Sequence, residues 1–204
     1  MKVLPYGDRA VLVELADGPE AMAFAAGLRA ARPAAVGEVV PAARTVLVVA
    51  ADGVPVAEVR AALDRVDPVT ESTGDGGDVV EVPVVYDGED LDDVARLTGL
   101  TREEVVAAHT GQLWQVAFGG FAPGFGYLVG DHDRLHVPRR VEARTRVPAG
   151  AVGLAGEYSG VYPRESPGGW QLIGRTELRL FDLDREPPAL MRPGVRVRFV
   201  EVGP

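Results

Sequence analysis

GFAPGFGYL (Gly120–Leu128) and SPGGWQLIGRT (Ser166–Thr176) frame the stretch whose reading decides the fold. From Gly119 to Arg175, 17 of 57 residues are Gly or Pro, a density that marks corners in the backbone. Glycine is needed where φ is positive or where another group approaches closely, and proline where φ is fixed near −65°. The stretch therefore reads as tight, pre-set loops that present Phe, Tyr, Trp and Arg, and such loops commonly hold sites. A small β-barrel needs many turns in any case, so density alone does not separate site from scaffold.

Working outward, Leu113–Phe118 is apolar, Leu178 and Leu180 flank Arg179, and Val195, Val197 and Phe199 alternate with arginines, all at a strand's period of two. Short strands between Gly/Pro turns favour a closed barrel, because closure removes exposed edges. Upstream, two short helices are expected. Asp90 caps the first and Gly99 ends it; Thr101 and Glu104 form a capping box for the second, which Gly111 terminates. His109 falls in its last turn, where the helix dipole favours a cation.

The first part of the chain alternates strand and helix patterns: a strand at Ala10–Leu15, a helix at Pro19–Ala31, strands at Val36–Val40 and Thr45–Ala50, and a helix at Pro55–Val66. A last strand at Val79–Tyr86 completes a ferredoxin-like unit in this reading, with the polar DPVTESTGDGGD (67–78) as a linker or exposed loop before it. The expected class is α+β: an α+β domain over 1–86, then a helical connection and a β-barrel domain over 87–204.

At 47% hydrophobic and 25% charged residues, with no apolar run near the ~20 residues of a membrane span, the composition is that of a soluble globular protein. Charges at the N-terminus argue against a signal peptide, and the absence of cysteine excludes disulfides, thiolate metal sites and a cysteine nucleophile; a cytoplasmic location is expected. A net charge of −9 argues against nucleic-acid or anionic-membrane binding. Yet Arg134, Arg139, Arg140, Arg144 and Arg146 form a basic island, and Lys2 is the only lysine, so a bound anion would be held by arginine forks or backbone N–H groups.

The remaining chemistry is sparse. His132 and His136 in DHDRLH (131–136) have a spacing that two metal ligands could share, but no HExxH or cysteine partner accompanies them, and no metal site is expected. Ser166 is either a nucleophile or a turn serine, without a GxSxG elbow or a nearby histidine; Glu157 lacks a partner carboxylate.

The ordered series PYGDRAVLVEL (5–15), GFAPGFGYL, Leu135–Thr176 and RPGVRVRFV (192–200) resembles the B subunit of bacterial ATP-dependent 5-oxoprolinase, a family also known as allophanate hydrolase subunit 1 or the Kip-type sporulation kinase inhibitor. The resemblance covers nearly the whole chain. It implies an α+β N-terminal domain and a cyclophilin-like barrel. Departures are Gly126 where members usually carry proline, Ala143 before Arg144, and Ala151 in place of serine.

What the resemblance implies is hydrolysis of 5-oxo-L-proline to L-glutamate with ATP as co-substrate, leaving room for Mg2+ with the nucleotide, in company with C and A subunits. Carried over as catalytic candidates are His109, Arg144, Arg175 and Ser166. As substrate or nucleotide contacts they are Phe121, Pro123, Gly124, Tyr127, Arg139, Gly150, Gly156, Tyr162, Gly168, Gly169 and Trp170. In this expectation Arg139, Arg144 and Arg175 bind phosphate or carboxylate, His109 moves a proton or orients a group, Gly168–Gly169 offers backbone donors, and Tyr127 and Trp170 form apolar walls. Two alternatives stand beside it: a non-catalytic inhibitor that binds a sensor histidine kinase, and a carboxyltransferase-like component of urea or allophanate metabolism, for which this chain lacks a biotin-attachment motif.

Overall fold

Alternating Val11 and Val13, and Val46 and Val48, fully buried on one side of their strands, set the first sheet. The computed structural model describes residues 1–67, 69 and 79–203, and the chain divides into two units, Met1–Gly76 and Gly77–Pro204. Of the expected linker at 67–78, only Asp67 and Val69 fall within the described residues.

The first unit holds β1 (Lys2–Tyr6), β2 (Ala10–Glu14), α1 (Gly18–Ala31), β3 (Val36–Pro41), β4 (Thr45–Ala50) and α2 (Val56–Leu63). Its four strands run in the order β1-β2-β4-β3, antiparallel throughout. Asp17 caps α1 by accepting from the Glu20 N–H at 2.9 Å. Phe24 and Leu28 of α1 and Val59 and Leu63 of α2 pack with the sheet valines in one core.

The strand expected to complete this unit does not join it. Beside β2 lies β1, which the sequence reading missed, paired from Lys2↔Glu14 to Tyr6↔Ala10. The expected strand, β5 (Val79–Val84), instead pairs in parallel with β13 (Arg196–Glu201) over six residues, from Val79↔Arg196 to Val84↔Glu201. The division at Gly76/Gly77 thus stands in place of the boundary expected after residue 86.

The second unit continues with α3 (Leu91–Thr98), α4 (Arg102–Thr110), β6 (Trp114–Gly119), β7 (Gly126–Val129), β8 (Arg144–Val147), β9 (Ala151–Ala155), β10 (Tyr158–Val161), β11 (Ser166–Gly168) and β12 (Gln171–Arg175). The capping box at Thr101 and Glu104 forms as the sequence indicates. Seven strands run in the order β12-β9-β10-β7-β6-β13-β5. The sheet curls until its ends meet, where Val85 and Arg175 exchange two backbone hydrogen bonds of 2.9 Å and leave a nearly closed barrel. Leu91, Trp114, Leu128, Leu154, Ile173, Val197 and Phe199 belong to its core, with α3 packed on β12 and α4 on β13. Each such side chain stabilises the fold by roughly 1.5–3 kcal/mol through burial.

The strand expected around Leu178–Leu180 is absent. Arg185 donates to the carbonyls of Arg179, Leu180 and Pro188, so two of the groups a ladder would use are satisfied by one guanidinium. Outside the barrel, β8 and β11 form a separate two-stranded ribbon.

Candidate functional site

The loop between β6 and β7 is built from two consecutive turns. Phe125 N–H donates to the Ala122 carbonyl at 3.0 Å, with Pro123 and Gly124 at the corners and Gly124 at φ +84°. This is the geometry of a type II turn, which needs a positive φ at its third residue. Just before it, Ala122 N–H donates to the Gly120 carbonyl at 2.7 Å. The three-residue turn so closed is centred on Phe121 at φ +66°. That conformation is costly for a residue with a Cβ, on the order of 1–3 kcal/mol, and it holds a 54% exposed phenyl ring out from the barrel.

Phe121 stands at the edge of an aromatic shelf on the outer face of the barrel. Its ring meets Phe125 edge-on at 5.3 Å and Tyr162 at 5.9 Å; Phe125 in turn meets Tyr127 at 5.0 Å and Trp170 at 5.4 Å. Tyr158 closes the far side, edge-on to Tyr127 at 5.5 Å. Edge-to-face pairs of this kind hold rings rigidly and add about 0.5–1.5 kcal/mol each beyond burial. The shelf shares a core with Val147, Ala151, Ala155 and Leu172. Gly168 lies so close to the Tyr162 hydroxyl that any Cβ there would collide with it. Burial raises the Tyr162 phenol pKa, while the Trp170 backbone and the charges of Arg139 and Arg144 oppose that rise.

Of the expected anion-binding arginines, two are already committed. Arg144 reaches both carboxylate oxygens of Asp90, at 2.7 and 2.8 Å, and also Glu89 at 3.2 Å. Partial burial works against its charge, but the hydrogen bonds and charges of Asp90 and Glu89 outweigh it and raise its pKa. Arg140 donates to the same Asp90 oxygen. Arg175 pairs with Asp87 at 2.9 Å on the surface, far less buried than Arg144. Arg139 differs from all three: it is exposed and has no carboxylate in salt-bridge reach among the described residues.

His109 is a correction to the sequence reading. Its ring is fully buried inside the barrel, with Tyr86 Oη 2.7 Å from Nδ1 and Ser159 Oγ 2.8 Å from Nε2. Phe199 and Trp114 pack against it at ring distances of 4.1 and 5.1 Å. Desolvation lowers its pKa to about 3, so the ring is neutral and not the helix-end cation that its position suggested. Both nitrogens are engaged, which leaves none to take a substrate proton. Ser166 is buried and donates to the Arg164 carbonyl at 3.1 Å, as a turn serine does. Gly150 and Gly156 lie in barrel turns, the first bonded to Tyr162 and Thr176, the second to Val137. Gly169 accepts from Arg140 N–H at 2.8 Å, so that carbonyl ties down the arginine segment.

The structure therefore brings together Phe121, Pro123, Gly124, Tyr127, Tyr162, Gly168 and Trp170, with Arg144 and Ser166 on the adjoining ribbon, and sets His109 and Arg175 apart from them. Sequence reasoning missed Asp90 in this setting, since its partners lie 50, 54 and 82 residues away. Among the described residues no group of three or more His, Asp or Glu side chains is arranged to hold a metal ion.

The family described as "Carboxyltransferase domain, subdomain C and D" matches residues 1–191. The B subunit of 5-oxoprolinase from Escherichia coli O157:H7 is 52% identical over 124 residues, 59% of this chain and 57% of that protein. The protein of the same name from Bacillus subtilis is 48% identical over 127 residues, 61% of this chain and 53% of that protein. The matched stretch thus spans little more than half the length of these relatives. The crystal structure of TTHA0988 superposes with a TM-score of 0.77 at 37% identity, covering 96% of this chain and 41% of that one.

Proposed function

This chain belongs to the family of carboxyltransferase domains, subdomains C and D, and from that premise we propose that it acts as the B-type component of an ATP-dependent 5-oxoprolinase. The complex hydrolyses the lactam of 5-oxo-L-proline to L-glutamate in the cytoplasm, together with A- and C-type components. Supporting this reading are the relatives named as B subunits of 5-oxoprolinase. The observation that carries it is the exposed Phe121 ring held at a strained positive φ on a rigid aromatic shelf, with the exposed Arg139 in a segment whose Arg140 N–H is bonded to the Gly169 carbonyl, one residue from Trp170.

A five-membered lactam with one carboxylate fits such a face. The ring is flat enough to lie against the exposed Phe121 ring, which the buried Phe125 and Tyr162 back edge-on, and the carboxylate is one negative charge for one guanidinium fork. The lactam carbonyl is a poor electrophile because the nitrogen lone pair is delocalised into it. Transfer of the ATP γ-phosphoryl group to that oxygen expels ADP and makes the ring carbon open to water. In the net reaction one water adds across the ring amide and one across the phosphoanhydride, giving glutamate, ADP and phosphate.

Charge limits what this chain contributes to ATP. Asp90 and Glu89 offset Arg140 and Arg144, which leaves little free positive charge around them to face a nucleotide of about four negative charges. The nucleotide, with any Mg2+, is therefore assigned to the partner subunits, and this chain to orienting the lactam and excluding water. Glutamate release from 5-oxoproline and ATP, measured for this chain alone, for A and C partners without it and for all three, tests the proposal. Release from the complete set only is expected; a well-folded complete set that releases none overturns it. Exposed Phe121 and Val141 favour one second reading, a protein-binding inhibitor of a sensor kinase. Inhibition of kinase autophosphorylation by this chain alone would distinguish it.

A further inference from the structure

We infer that Asp90 is a positioning residue that sets Arg139 against the aromatic shelf without touching substrate; this deepens, and rests on, the reading of that shelf as the lactam-binding face. Asp90 occupies the N-cap position of α3, where an aspartate normally accepts from the first-turn N–H groups, yet its side chain makes no capping bond. Its carboxylate, 2% exposed, turns away and accepts from Arg140, from Arg144 at 2.7 and 2.8 Å, and from the Leu172 N–H at 2.7 Å. The Asp90 N–H also donates to the Leu172 carbonyl at 2.9 Å, which fixes its backbone to β12.

A carboxylate taken from water persists only when its lone pairs are met by donors, and here two guanidinium groups and one amide meet them. The consequence is mechanical. The segment from Pro138 to Arg144 is held at four points: Gln171 Nε2 donates to the Pro138 carbonyl at 3.2 Å, Arg140 N–H to Gly169 at 2.8 Å, and the Arg140 and Arg144 side chains close on Asp90. Arg139 sits between the first two anchors, with its neighbour's guanidinium pulled inward to Asp90. Its own side chain is left exposed, in a segment that the Arg140 N–H fixes to the Gly169 carbonyl, one residue from Trp170 of the shelf. Ordering the segment before substrate arrives removes an entropy cost that binding would otherwise carry.

Asp90→Asn keeps the shape and removes the charge; Arg140→Met cuts one arm of the same clasp and serves if the first variant does not fold. Two readouts are taken on the full chain: amide hydrogen exchange, and steady-state kinetics of the complete three-subunit set. The expected result is exchange at least about 10-fold faster across residues 138–144, with β13 amides unchanged. Together with this, KM for 5-oxoproline rises at least about 10-fold while kcat stays within about threefold, and Asp90→Glu restores part of the loss. A folded variant with wild-type exchange at 138–144 overturns the proposal, as does a fall in kcat without a change in KM. Should the wild-type set release no glutamate, the shelf reading fails, and the exchange measurement still decides whether Asp90 orders the arginine segment.

Discussion

Two aromatic clusters of similar composition occupy the second unit, and they have opposite characters. Inside the barrel, Tyr86, Trp114 and Phe199 surround His109; on the outer face, Phe121, Phe125, Tyr127, Tyr162 and Trp170 form the shelf, next to the segment that carries Arg139. In the first cluster both polar ring atoms are bonded and the titratable ring is neutral. In the second, a phenyl ring is exposed on a strained backbone and an arginine lacks a counter-charge. Phe125, Tyr162 and Trp170 are buried and hold the fold as the interior cluster does, so the strained, exposed Phe121 is the feature that packing does not account for and on which the proposed binding role rests.

Replacing the histidine breaks the comparison most severely if it is wrong. His109→Ala leaves a ring-sized void and deprives Tyr86 and Ser159 of a partner, so denaturant unfolding is expected to show a loss of about 3–5 kcal/mol. KM and kcat of the folded fraction should stay at wild-type values; a selective fall in kcat would put the interior cluster back into the chemistry.

The same residue gives a pH signature. With the folded pKa near 3 and the unfolded one near its ordinary 6.5, the unfolded chain takes up a proton that the folded chain refuses between those values. This contribution is complete above about pH 6.5 and is lost as pH falls toward 3, at up to roughly 1.4 kcal/mol per pH unit. In His109→Gln that component of the acid-side slope should vanish; an unchanged slope would mean that the histidine already carries a proton in the native state.

Phe121→Gly sharpens the other half of the contrast with a smaller effect on stability. Glycine accepts the positive φ without strain, so relief of strain and loss of two edge contacts nearly cancel, and the melt should stay within about 1 kcal/mol of wild type. KM for the lactam should nevertheless rise. A stability loss of several kcal/mol would reassign Phe121 to the core.

Local signals carried most of the fold. The capping box at Thr101 and Glu104, the valines of β2 and β4, and the Pro123–Gly124 turn are each set by a few neighbouring residues, and all were legible. The edge strand Lys2–Tyr6 was not, because its burial does not alternate. The partnership of β5 with β13 depends on residues more than a hundred positions apart, which no window of sequence contains. At the site, residue types were legible and roles were not. Arg139, Arg144 and Arg175 look alike in sequence, and only the positions of Asp90, Glu89 and Asp87 show which of them is unpaired. His109 at a helix end reads as a cation until the barrel that encloses it is known.

The central claim is that Arg139 holds the substrate carboxylate on the outer shelf. Its most direct test is the KM for 5-oxoproline of the complete three-subunit set carrying Arg139→Ala, with the melting temperature of the variant chain measured alongside. Because the side chain is exposed and pairs with no carboxylate among the described residues, melting should be unchanged, while KM rises by at least about 10-fold, the value of losing one charge-assisted contact. A wild-type KM in a folded Arg139→Ala complex would contradict the account.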